Sequence, residues 1–269
     1  MNLSRVLGLA FLLGGLGIHA QELPEAPEAG KPEAPPRQVR FLPVGDLPPF
    51  RQEVRNGVRY ELEPPPGSVP PREVVVGFGE EDDGKNAARL LLGRITEPLE
   101  APGGTGPMLL RGREDAADAE PWMRVARPED SDFLVLLWRG NPKGSWAEAR
   151  ALVLPDSPAA APAGRMRVIN LSPVPVGVVF GGENIKLDPG KFYQRPVQVG
   201  KETDLQLGAV DSSGKLKRFH SGTVFQNPGE RTLVVIYRAD GVEPRRPLKA
   251  IIHREPVPAA PKPAADPRP

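Results

Sequence analysis

Leu134-Val135-Leu136-Leu137-Trp138-Arg139 and, 99 residues later, Leu233-Val234-Val235-Ile236-Tyr237-Arg238 are the stretches from which the fold is read. The match continues without a gap: Asn141 lies over Asp240, and Arg150-Ala151-Leu152-Val153 lies over Lys249-Ala250-Ile251-Ile252. Of the 22 positions from 132 to 153, four are identical and about eight more are conservative. A second run arriving at the same distance, and an Arg after the aromatic in both copies, point to duplication rather than shared strand composition. Both runs are apolar at every position instead of alternating, which predicts strands covered on two faces. Trp138 and Tyr237, equivalent in the two copies, are therefore expected in cores rather than on a sugar-stacking platform.

Each copy closes with hairpin grammar: a strand, a turn (Asn141-Pro142-Lys143-Gly144 or Ala239-Asp240-Gly241) and a final strand. In the second copy, 166–254, strands are predicted at 167–171, 176–180, 183–187, 205–210 and 215–225, with Gly181-Gly182, Asp188-Pro189-Gly190 and Asp211-Ser212-Ser213-Gly214 as turns. With the last hairpin this makes about seven strands, the pattern of an antiparallel sandwich. The first copy is looser, with strands predicted at 73–78, 88–92, 108–113 and 122–126; the stretch 87–92 also reads as a possible helical turn. Upstream, 39–44 and 58–63 look extended between Pro clusters and are assigned as a lead-in, which sets the first sandwich at 39–155 and a stiff Ala/Pro linker at 156–165. The expected fold class is all-β: two tandem antiparallel Ig-like β-sandwiches with disordered Pro-rich tails.

Composition bounds the rest. The 269 residues include 35 Pro and 29 Gly; Pro is dense in 21–38, with five, and in 255–269, with six, where little apolar surface offsets chain entropy. Zero Cys excludes disulfides, thiolate metal sites and thiol nucleophiles, and a net charge of +1 does not point to nucleic acid or an anionic membrane; no nucleic-acid partner is expected of an exported module without aromatics interleaved among its basic residues. Residues 1–20 read as a secretory signal: Arg5, an apolar run from Val6 to Ile18, and a small residue, Ala20, at the expected cleavage point. No later run is long enough to span a bilayer, so the expectation is a periplasmic or secreted product without a transmembrane span after cleavage.

The second copy carries Arg167-Val168-Ile169-Asn170-Leu171-Ser172, the Gly181-Gly182 hairpin and Leu187-Asp188-Pro189-Gly190. In these it resembles secreted bacterial β-sandwich modules of unknown function, in which an R-V-x-N-x-S strand is followed by a short hairpin and an L-x-P-G turn. The resemblance covers about 25 residues and implies fold and compartment; it carries no catalytic residue.

Motifs for chemistry are weak. Gly79-Glu80-Glu81-Asp82-Asp83-Gly84-Lys85 has the spacing of a phosphate-cradling loop, but four carboxylates fill its centre and Asn86 stands where the hydroxyl should be. The same acids lack the alternation and the terminal Glu of a calcium loop. His220 adjoins Ser221, but neighbours on a strand point to opposite faces, so the two cannot form a nucleophile–base pair; His253 is read as an ordinary strand residue. No cofactor or metal is expected, and the chain reads as non-enzymatic.

Charge is the better clue. Residues 72–155 hold 11 basic and 15 acidic residues, whereas 166–254 hold 14 basic and 8 acidic. The excess gathers at Lys215, Lys217 and Arg218 around one hairpin and at Arg245, Arg246 and Lys249 around another. These are the candidate partner-binding residues, for an envelope protein or an acidic polymer; a basic face of this kind can equally dock on the first copy. Trp146, after a turn among polar neighbours, joins them as an expected exposed contact.

Overall fold

The strands β9 (Phe133–Arg139) and β17 (Glu230–Arg238) sort their side chains by parity, as a pleat requires. Phe133, Val135 and Leu137 enter one core, and Leu134, Leu136 and Trp138 point the opposite way. In β17, Val234 and Ile236 enter a second core, while Leu233, Val235 and Tyr237 join the outward set of β9 in a third. The uninterrupted apolar runs thus serve two interiors each.

The structure, a computed structural model, describes residues 37–79, 86–113, 115, 120–129, 131–210, 213–242 and 244–257. The expected signal at 1–20 and most of the tails expected at 21–38 and 255–269 lie outside these residues, as does the acidic loop at 80–85; the inner ends of the tails are strand, Arg37 and Gln38 opening β1 (Arg37–Val44) and Glu255 and Pro256 closing β18 (Leu248–Pro256). Among the described residues the chain is all-β, with 18 strands and a single 3-10 turn at Trp146–Glu148. No helix there is long and apolar enough to cross a membrane.

The first copy runs through β1 (Arg37–Val44), a hairpin of β2 (Gln52–Arg55) and β3 (Val58–Glu61), β4 (Glu73–Gly77), β5 (Ala87–Arg89), β6 (Leu99–Ala101), β7 (Met108–Gly112), β8 (Met123–Val125), β9 and β10 (Ala149–Pro155). The second has β11 (Arg165–Asn170), β12 (Val176–Phe180), β13 (Glu183–Leu187), β14 (Phe192–Pro196), β15 (Thr203–Val210), β16 (Leu216–Val224), β17 and β18 (Leu248–Pro256). Sheet orders are β10-β9-β1-β6 with β5-β4-β7-β8, and β18-β17-β11-β14 with β13-β12-β15-β16. Strand for strand these are the same topology; only the β2-β3 hairpin is extra.

The duplication holds at the level of register. Leu136 faces Leu152 as Val235 faces Ile251, each position displaced by 99 residues. Val39 pairs with Phe133 and Met166 with Thr232, so Arg40 corresponds to Arg167. The expected lead-in at 39–44 is therefore the central strand β1 of the first sandwich. It runs parallel to β9, as β11 does to β17, so the sandwiches are not purely antiparallel. A parallel pair needs a crossover, and the intervening strands of the opposite sheet supply it. Residues 87–89 are strand, not helix.

The near sheets of the two copies lie back to back. Leu42, Val44, Leu134, Leu136 and Leu154 meet Ile169, Leu171, Leu233, Val235 and Tyr237, most of them fully buried. Both copies belong to one compact unit.

Charges close both ends of this seam. At one end Arg40 and Arg231 share Asp156 and Glu255, with Arg40 Nη1 at 2.6 Å from Glu255 and Arg231 Nη2 at 2.8 Å from Glu255 and 3.1 Å from Asp156. Arg167 donates to the carbonyls of Pro155 and Ala160 at 2.7 and 2.6 Å, which pins the linker. At the other end Asp240 accepts from Arg139 Nε at 2.7 Å and from the Asp46 N–H at 2.6 Å. Asp46 in turn accepts from Tyr237 Oη, Gly241 N and Lys249 Nζ, each at 2.9 Å.

Candidate functional site

β16 and β18 are edge strands of the second copy's two sheets and lie beside each other. At Phe219 a bulge interrupts the ladder to β15: His220 pairs with Leu207, but the next partner of β15, Gly208, is Arg218. A bulge twists an edge and frees a backbone group. The guanidinium of Arg246, in the β17–β18 connection, takes up that carbonyl, Phe219 O. This contact brings the two basic loops together. Lys217, Arg218, Arg245 and Arg246 are all exposed along it, with Lys215 just before the strand.

The electrostatics follow from this geometry. Among the described residues, Lys217, Arg218 and Arg245 have no carboxylate within ion-pair distance. Beside them, burial, and then the charge of Arg246, push the His220 imidazole below its ordinary value. The edge is a strip of exposed basic side chains.

Two of the expected residues stand elsewhere. Lys249 faces the seam and is paired with Asp46, a contact between copies, and so leaves the basic edge. Burial works to raise the Asp46 carboxyl, but hydrogen bonds from Lys249, Gly241 and Tyr237 outweigh it and hold the group below its ordinary value. Burial and the nearby Asp46 and Asp240 charges push the Tyr237 phenol strongly upward. Trp146, expected on the surface, is 1% exposed and belongs to the first core. Ser145 caps the 3-10 turn by accepting from Ala147 N at 3.1 Å, and the turn folds the indole inward.

Over Trp146 lies a feature that no sequence motif marked, an open cleft of about 700 Å³. Its walls include Pro70, Pro71, Arg72, Glu73, Arg113 and Trp122. The Trp122 indole is fixed by donating to Trp146 O at 2.8 Å, and Arg113 is paired with Glu73. It leaves no cue in the sequence, since its walls come from segments far apart along the chain, Gly67 to Glu73, Gly112 to Trp122 and Ser145 to Ala147.

His253, on β18, lies within reach of the charges of Glu255 and Arg40. No group of three or more His, Asp or Glu among the described residues is arranged to hold a metal ion. Compared with known proteins, no family model matches the chain and no curated protein matches it.

Proposed function

We propose that this chain is an exported, non-catalytic binding or structural module of the bacterial cell envelope, which contacts an acidic partner through the basic edge of its second sandwich. The observation that carries the reading is the joining of two separate basic loops by Arg246 at the Phe219 bulge, with Lys217, Arg218 and Arg245 exposed beside it. Cations held on a rigid double sandwich attract an anionic polymer or protein surface at low entropic cost. The export signal at 1–20 supports the compartment.

Reversing Lys217, Arg218 and Arg245 together to Glu tests it. Exposed charges contribute up to about 1 kcal/mol each, so retention on an extracted anionic envelope fraction should fall by roughly 10- to 100-fold. The loss should shrink as salt rises from 50 to about 500 mM. Retention unchanged by the reversal would overturn the proposal.

A second reading is an accessory subunit of an envelope enzyme complex, such as one handling polysaccharide. The cleft beside Trp122 favours it, because an aromatic wall flanked by Arg72 and Glu73 suits a sugar face and its hydroxyls. Co-purification with an enzyme from envelope, lost on Trp122→Ala, would favour this reading.

A further inference from the structure

The β2-β3 hairpin is present in the first copy alone, in the connection between β1 and β4 that the second copy crosses with a short turn. Asn56 and Gly57 both have positive φ, 51° and 80°, the geometry of a two-residue I′ turn. β3 is exposed along its whole length and β2 along all but one residue. Val54, Val58 and Tyr60 are 61, 53 and 49% exposed, and Phe50, on the approach, is 70% exposed. An isolated two-stranded ribbon gains little stability from exposing apolar side chains on both faces. A strand edge with neither Pro nor Lys in it also lacks the usual protection against pairing.

The register shows what this edge fits. Arg55 pairs with Val58, Glu53 with Tyr60 and Gln52 with Glu61, and Leu62 N donates to Arg51 O at 2.9 Å. In such a ladder the bonded pairs alternate, so the N–H and C=O groups of Arg59 and Glu61 point away from β2. They have no backbone partner among the described residues. If β3 meets its own copy antiparallel about a two-fold axis through Tyr60, Arg59 falls opposite Glu61 of the second copy, and Glu61 opposite Arg59. These are the residues whose backbone groups are free, so each such pair exchanges two hydrogen bonds. Tyr60 meets Tyr60 at the close central pair, and Val58 meets Leu62 on the same face. The sequence Arg59-Tyr60-Glu61 is thus self-complementary in charge, in apolar contact and in hydrogen-bond parity. On β2, Glu53-Val54-Arg55 has a similar palindrome, but Arg55 Nη2 already pairs with Glu53 at 2.8 Å within the strand.

We infer that the chain forms a two-fold dimer by antiparallel β3–β3 pairing centred on Tyr60. The interface is one strand wide, so the affinity is modest, on the order of micromolar. The hairpin lies on the first copy and the basic edge on the second, so the dimer stands or falls apart from the proposed function.

Sedimentation velocity of the purified chain over about 1 to 200 μM tests it. The expected result is a reversible dimer, reduced at least tenfold in affinity in Arg59→Glu and in Glu61→Arg, each of which puts like charges opposite each other twice. An equimolar mixture of those two variants restores dimer, because each then faces its complement. Since the chain has no Cys, Tyr60→Cys places the only two thiols of the dimer at the close central pair, and oxidation should give a covalent dimer. A monomer throughout the range overturns the inference, and so does a dimer that persists in Arg59→Glu without disulfide formation by Tyr60→Cys.

Discussion

Asn170 shows why the R-V-x-N-x-S stretch has its shape. Fully buried, its amide donates to Val174 O and Leu187 O, each at 2.9 Å, and its Oδ1 accepts from Ser172 N at 3.0 Å and Ser172 Oγ at 2.6 Å. One side chain thereby closes the β11–β12 turn and ties it to the end of β13. Asn170→Ala takes the acceptor from Ser172 N and a donor from Leu187 O, while Ser172 Oγ still reaches Val174 O at 3.0 Å, so a loss of about 1 to 3 kcal/mol in urea unfolding is expected, with secondary structure by circular dichroism unchanged. Arg167, the first residue of the motif, holds the linker, and its counterpart Arg40 holds Asp156 and Glu255. The positions matching Asn170 and Ser172 in the first copy are Pro43 and Gly45. That copy has no such tie, and its chain runs on toward the hairpin. Trp146 and Lys249 were misplaced at this scale because polar neighbours in sequence do not reveal a 3-10 turn folding inward, or an Asp46 arriving from a distant segment.

At the scale of elements, β1, β17 and β18 end in one charge cluster whose titration sets the acid response. Burial raises Glu255, but hydrogen bonds and charge from Arg40 and Arg231 outweigh it, and the group sits below its ordinary 4.5. Asp46, at the far end of the seam, sits below its ordinary 3.8. In His253 burial outweighs the attraction of Glu255, so the imidazole lies below its ordinary 6.5, and its Nε2 has no hydrogen-bond partner among the described residues. All three groups bind fewer protons folded than unfolded, so the stability they confer is complete above the unfolded values and drains as pH falls. Thermal midpoints should be flat above about pH 7, decline from about 6.5 as His253 and His220 charge, and fall more steeply below about 4.5. His253→Gln should reduce the first decline and leave the second; an unchanged profile between pH 5 and 7 would count against the cluster.

The strands differ in how far they could be read. β9 and β17 announce themselves because each serves two cores, and Gly181-Gly182, with φ of 56° and 89°, marks its hairpin. β2, β6 and β14 carry no such signal: β6 is three residues between prolines, and neither β2 nor β14 has a buried side chain. The basic edge was half legible, since charge gathered at two turns is visible in sequence, but the bulge that joins them depends on pairing with β15.

For the whole molecule the decisive feature is the third core, which makes two copies of one sandwich into a single body of four sheets. Had the copies been independent, the outward faces of β9 and β17 would read as alternating strands with polar partners. Instead Leu136, Val235 and their neighbours bury as fully as residues of either inner core, and ion pairs seal both ends. Neither copy can unfold without stripping the other of this cover, so the two should melt together. Differential scanning calorimetry tests this most directly. The account predicts one transition whose calorimetric and van't Hoff enthalpies agree; two resolved transitions, or a calorimetric enthalpy about twice the van't Hoff value, would contradict it.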